Sequence, residues 1–147
     1  MKTKINIIDR EHTEVTRADG GGEWDADDTY TSHSIEGISI SDAEYSTLEV
    51  PYKVKKNVPY YLVYAIFSTG DSFHHEEGRI DFIDLYQKRT LAEKVARIIE
   101  EDYKKWKENF SVTIFDSTGK KFKMHCPWKG YFESLTDVRV EEVYLEK

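Results

Sequence analysis

The segment Ser68-Thr-Gly-Asp-Ser-Phe-His-His-Glu-Glu-Gly78 gathers groups that can do chemistry: hydroxyls, an aspartate, adjacent histidines and two glutamates, with a glycine near each end. Hydrolysis is one use of them, because an activated serine needs a base within hydrogen-bond reach. Asp71, Ser72 and a nearby histidine supply those residue types. The context Thr-Gly-Asp-Ser-Phe is not the Gly-x-Ser-x-Gly elbow, however. Of the paired His-x-Thr units of a phosphodiesterase, only His12-Thr-Glu and His33-Ser-Ile come near. A phosphodiesterase-type hydrolase is therefore the weaker reading, and no catalytic residue is expected.

Metal binding is a second use. His33, His74, His75 and His125, with Glu76, Glu77 or Cys126, are donors suited to zinc. Adjacent histidines do not easily face one ion, and no Cys-x-x-Cys, His-x-His or His-Glu-x-x-His spacing occurs. Neither a metal nor another cofactor is expected. The third use is a ligand cradle. Gly70 permits a sharp turn, and consecutive N–H groups from Thr69 to Ser72 can form an anion-binding nest. Ser68, Thr69 and Ser72 add hydroxyls, and Arg79 at the rim suits a phosphate in bidentate fashion. The plain alternative is a hairpin whose Asp and Ser cap their own backbone. On either reading His74–Glu77 form a solvated rim.

Residues 125–135, His-Cys-Pro-Trp-Lys-Gly-Tyr-Phe-Glu-Ser-Leu, place Trp128, Tyr131 and Phe132 around Lys129 at a Pro-Gly turn. Aromatic rings stack on nucleobases for about 1–3 kcal/mol each, and a lysine beside them suits phosphate. The alternative is a hydrophobic plug closing the end of a sheet, to which Phe132 is the best suited. Trp24 and Tyr30 near His33 repeat the same mixture. Cys126 reads as a small buried filler.

These segments need elements to position them. Lys4–Asp9 alternates apolar and polar residues as a strand does, and Ala18–Asp28, with three consecutive glycines, reads as a flexible turn. Thr29–Ile40 and Ala43–Val50 read as two further strands. Residues 60–67, Tyr-Tyr-Leu-Val-Tyr-Ala-Ile-Phe, are continuously apolar and belong at the centre of a sheet. Arg79–Tyr86 suggests the adjacent strand. Leu91, Val95, Ile98, Ile99, Tyr103 and Trp106 recur at helical spacing, and Thr90 with Glu93 matches a capping box. Residues 111–125 read as a hairpin and 136–146 as a final strand. The expectation is one α+β domain over 1–147, a mostly antiparallel sheet with one helix at about residues 90–108 on one face.

Composition narrows the function classes. The net charge of −7 argues against general nucleic-acid binding, which needs surplus Lys and Arg. No stretch is long enough to span a bilayer and the first residues lack a signal peptide's apolar run, so a cytoplasmic protein without membrane contact is expected. With a single cysteine there is no internal disulfide framework.

The segments "EWDADDTYTSHSIEG", "YAIFSTGDSF" and "CPWKGYFESLTDVRVE" resemble, over nearly the whole length, a group of small proteins encoded by large tailed bacteriophages. His74 stands where members of that group often carry glycine. The resemblance implies a phage origin and an α+β fold, and hence an accessory role in the infected host cell such as counter-defence. The expected function is a non-enzymatic sponge that sequesters a small nucleotide-like immune signal, often at a homo-oligomer interface. Its expected contacts are Trp24, His33, Thr69, Asp71, Ser72, Phe73, Arg79, Trp128, Lys129 and Tyr131. Trp128 and Tyr131 would stack on a base, Arg79 and Lys129 would hold phosphate, and Asp71 with Ser72 would read ribose hydroxyls. The alternative partner is a host defence protein or nuclease, whose basic surface an acidic inhibitor would cover.

Overall fold

The computed structural model describes residues 2–17, 27–42, 45–70, 74–105, 111–125, 128 and 133–146. Along the chain these form β1 (Thr3–Arg17), β2 (Asp27–Ile40), β3 (Leu48–Val50), β4 (Tyr60–Gly70), β5 (His74–Tyr86), α1 (Arg89–Lys105), β6 (Ser111–Phe115), β7 (Lys121–His125) and β8 (Glu133–Val143). Six strands make one sheet in the order β3-β1-β2-β5-β4-β8, and β6 with β7 make a separate hairpin. Among the described residues every ladder is antiparallel except a short parallel one between Asp27–Tyr30 of β2 and His74–Glu77 of β5, and an isolated parallel bridge joins Ile38 to Leu145. This is the expected α+β arrangement, with a mixed and mostly antiparallel sheet.

The apolar run at 60–67 is explained by burial on both faces of β4. Side chains alternate across a strand, so Val63 and Ala65 join one core while Tyr60, Leu62 and Tyr64 join another. The first core is completed by Ala92, Val95, Ala96 and Ile99 of α1 and by Val112 and Ile114 of β6. Those helical residues recur every three or four positions, which is the stripe a helix turns toward a sheet. Truncating Ile99, fully buried there, costs about 2–5 kcal/mol by the usual cavity and transfer losses.

The second core shows that the sheet folds over on itself. It combines Ile5, Ile38 and Val50 from the β3-β1-β2 end with Leu62, Leu85 and Val143 from the β5-β4-β8 end. The closure is hydrogen-bonded: Ile38 N donates to the Tyr144 carbonyl (3.1 Å) and Glu146 N donates to the Ile38 carbonyl (2.7 Å). β2 thus meets β5 at one end and the segment after β8 at the other. Between those two joints it spans a wedge in which, among the described residues, its backbone has no strand partner on that side.

Four local expectations are corrected. β1 runs on to Arg17, well beyond the alternating Lys4–Asp9, because Thr13 and Val15 are β-branched and pair with β2. Of the strand expected at Ala43–Val50, residues 43–44 lie outside the described residues, and within 45–50 the strand is Leu48–Val50, which pairs with β1. The long loop at 68–78 is mostly strand: Ser68 and Thr69 pair with Ser134 and Glu133, and Gly70 pairs with His75. The expected rim His74–Glu77 is therefore ladder, and only 71–73 lie outside the described residues. Finally, α1 begins at Arg89, so Thr90 sits inside the first turn instead of capping it, and Glu93 faces Arg89 (3.7 Å).

Candidate functional site

The β1–β2 ribbon changes character along one face. Ile5, Ile7 and Ile38 lie in or against the second core, whereas Glu11 pairs with His33, Thr13 with Thr31 and Val15 with Thr29. A register shift between Ile8 and Asp9 marks the change from apolar to polar. Beyond it the ribbon carries carboxylates, hydroxyls and an imidazole toward β5.

His33 is the knot of this region. Its side chain is 7% exposed, with Nδ1 2.7 Å from Asp9 Oδ2 and Nε2 2.7 Å from the Gly78 carbonyl oxygen. A carbonyl only accepts, so Nε2 carries a hydrogen and donates it. The ring thereby ties β1, β2 and β5 together just past the last parallel pair, Tyr30 with Glu77. Gly78 makes the tie possible. Its φ is +81° and a Cβ there would collide with the Thr31 carbonyl, so only glycine lets β5 approach β2 so closely.

Two cavities share this knot. One of about 300 Å³ is lined by Glu11, Thr13, Thr29, Thr31, His33, Glu76, Arg79 and Ile80. The other, about 210 Å³, lies in the wedge between β2 and the β5-β4-β8 face, where Tyr64, Ile66 and Arg139 join Thr31, Ser32, His33 and Gly78. Burial, reinforced by the Glu141 carboxylate, raises the Tyr64 phenol above its ordinary range, so it enters the second cavity as a neutral hydroxyl.

Of the residues expected to bind a ligand, the structure brings His33 and Arg79 together on the larger cavity. Arg79 Nη1 is 2.8 Å from Glu76 Oε2, so its charge is already matched and an anion must compete for it. Thr69 lies one strand away, opposite Glu76 and Glu133, with Oγ1 3.5 Å from Glu133 Oε1. Trp128 is corrected. It is 2% exposed within the helix-side core and donates Nε1–H to Asp81 Oδ2 (2.5 Å), so it is an anchor and not a stacking surface. Trp24, Asp71, Ser72, Phe73, Lys129 and Tyr131 lie outside the described residues. Among the described side chains His33, His75 and His125 do not gather: His75 faces Glu77 (3.1 Å), while His125 is on β7 of the separate hairpin.

Asp9, Glu11, Thr13, Thr29 and Thr31 were not singled out from the sequence. Their signal was present as polar residues at every second position, Asp9-x-Glu11-x-Thr13 and Thr29-x-Thr31-x-His33, which is one face of each strand. No protein-family model, curated protein or solved structure matches the chain. The fold and site thus define an α+β chain whose sheet closes around a hydroxyl- and carboxylate-lined cleft. No helix among the described residues is long and apolar enough to cross a membrane.

Proposed function

We propose that the chain is a non-enzymatic binding protein that holds a small nucleotide-like molecule in the cleft between the β1–β2 ribbon and β5. The observation carrying this reading is the convergence of Arg79, His33 and the hydroxyls of Thr13, Thr29 and Thr31 around a cavity of about 300 Å³. That volume is at the small end of ligand pockets and suits a ribose with one phosphate better than a long polyphosphate. Threonine hydroxyls and the Glu11 carboxylate match sugar hydroxyls, which both donate and accept. A phosphate would take Arg79 from Glu76, exchanging one charge-assisted hydrogen-bond partner for another. His33 Nε2 is committed to the Gly78 carbonyl and Nδ1 faces the Asp9 carboxylate, so neither is turned toward a bound nucleotide as a base, which favours holding over cleaving. In the phage setting that the resemblance implies, such a protein would withhold a nucleotide-like immune signal from its receptor in the infected cell.

The test is calorimetry and thermal shift with ribose 5-phosphate, AMP, ADP-ribose and cyclic dinucleotides, followed by mass analysis of the ligand recovered after denaturation. At least one should bind and come back intact. Arg79→Ala should weaken binding at least tenfold, and Glu76→Gln should tighten it by freeing Arg79. If no compound in the panel binds at millimolar concentration, the reading fails. A cleaved product would replace it with the hydrolase reading, and salt-sensitive co-purification with a host protein would replace it with the acidic-inhibitor reading.

A further inference from the structure

We propose that Asp9, Glu11 and His33 form a site for one divalent transition-metal ion of the zinc type, opening onto the cleft. Their donor atoms lie within 4.8 Å of one another. Asp9 and Glu11 are two apart on β1 and Glu11 pairs with His33 across the ladder, so the ribbon's pleat presents all three on one face.

The electron pairs of these three groups point at one another. Nε2–H is committed to the Gly78 carbonyl, and a backbone carbonyl on the second nitrogen is how proteins orient a metal-bound imidazole. In the neutral ring this leaves Nδ1 with its lone pair directed at two carboxylates, 2.7 Å from Asp9 Oδ2 and 3.7 Å from Glu11 Oε1. Three electron-pair donors converge with no donor hydrogen between them unless a proton or a cation is supplied. A proton on Nδ1 serves only Oδ2. Among the described residues Asp9 Oδ1 is then left buried without a hydrogen-bond partner, a costly state for a carboxylate oxygen. A cation can draw on either oxygen of Asp9 as well as on Glu11.

The geometry is within reach. Zinc bonds of about 2.0–2.2 Å put tetrahedral ligands about 3.4 Å apart, and the two observed separations bracket that value. Glu11, 63% exposed, has room to swing inward. Glu11 and His33 also line the larger cavity, so the fourth position faces the cleft and is open to water or a ligand oxygen. The imidazole favours zinc, iron, cobalt or nickel over magnesium and calcium, which prefer oxygen. A bound cation would also offset the carboxylates of Glu11 and Glu76, making the same cleft more tolerant of phosphate.

The experiment uses the metal alone. Chelator-treated protein is titrated with Zn²⁺ by calorimetry and with Co²⁺ by visible absorption, and the histidine ring resonances are followed by NMR. One ion per chain is expected, with the His33 ring shifting. Glu11→Gln, which removes an exposed ligand and should leave the metal-free melting temperature unchanged, should weaken Zn²⁺ binding tenfold or more. Asp9→Asn should weaken it further. Absence of one-to-one binding at micromolar zinc overturns the proposal. So does binding unaltered by both variants, or binding that shifts His12 or His75, which face Glu14 and Glu77 at the surface, instead of His33. No nucleotide is present, so this outcome is independent of the ligand reading.

Discussion

Gly78→Ala measures how closely β2 and β5 approach at the knot. Two costs are separable, because Gly119 in the β6–β7 turn has a similar φ, +88°, with no atom of the described residues within 4 Å of the position a Cβ would take. Gly119→Ala therefore reports only the left-handed backbone penalty, about 1–2 kcal/mol. Gly78→Ala carries that penalty and in addition drives a methyl group into the Thr31 carbonyl. Backbone cannot rotate aside as a side chain can, so the strands must part, at the cost typical of overpacking, about 1–3 kcal/mol. Parting them also breaks the His33–Gly78 hydrogen bond, worth about 0.5–1.5 kcal/mol net. We expect a loss of about 3–6 kcal/mol for Gly78→Ala against about 1–2 kcal/mol for Gly119→Ala. Urea unfolding followed by far-ultraviolet circular dichroism gives both from the midpoints at unchanged slope. Equal losses within experimental error would refute the close approach and with it the reason His33 reaches β5.

Trp128→Phe should cost about 2–3 kcal/mol, because it removes a hydrogen bond to a carboxylate as well as buried ring area. Asp81→Asn, which keeps an acceptor, should cost less in the same unfolding assay. Tyr86→Phe removes the hydroxyl that donates to the Phe115 carbonyl (2.6 Å), and a loss of about 1–2 kcal/mol is expected from that unpaired carbonyl. Asp84 gives a pH signature. Burial holds its carboxyl above the ordinary range despite hydrogen bonds from the Leu85 and Ser117 amides. The folded state then keeps the proton to higher pH than the unfolded state. Its contribution is full below the ordinary carboxylate range and declines as pH rises through the raised folded value. Asp84→Asn should flatten this decline in urea midpoints measured from acid to neutral pH; an unchanged slope would contradict it.

Much of the architecture was legible in residue patterning. The helix showed in Leu91, Val95, Ile98 and Ile99, and the central strand in residues 60–67, because both periodicities answer to local geometry and burial. Strand boundaries were less legible. Ser68–Gly70 and His74–Glu77 look like loop by composition, yet β8 pairs with Ser68 and Thr69, β2 pairs with His74–Glu77, and Gly70 pairs with His75. Polar composition alone does not reveal such partners. The site divides in the same way. His33 and Arg79 were recognisable by type, while Asp9 and Glu11 were hidden in an ordinary acidic stretch until pairing with β2 set them beside His33.

Residue patterning was enough to place the apolar faces of the helix and of the central strand in a core, since their periodicities are local, but not Trp128 or His33, whose burial depends on distant partners. The sequence also marked Gly70 as a position where the backbone can turn sharply, and its φ is +113°. The closure of the sheet from Ile38 onto Tyr144–Glu146, and the buried imidazole that joins three strands at the mouth of a cleft, arise from the assembled fold. Those are contacts between residues 24 to more than 100 positions apart. Strand order and register create them, and no local propensity encodes them.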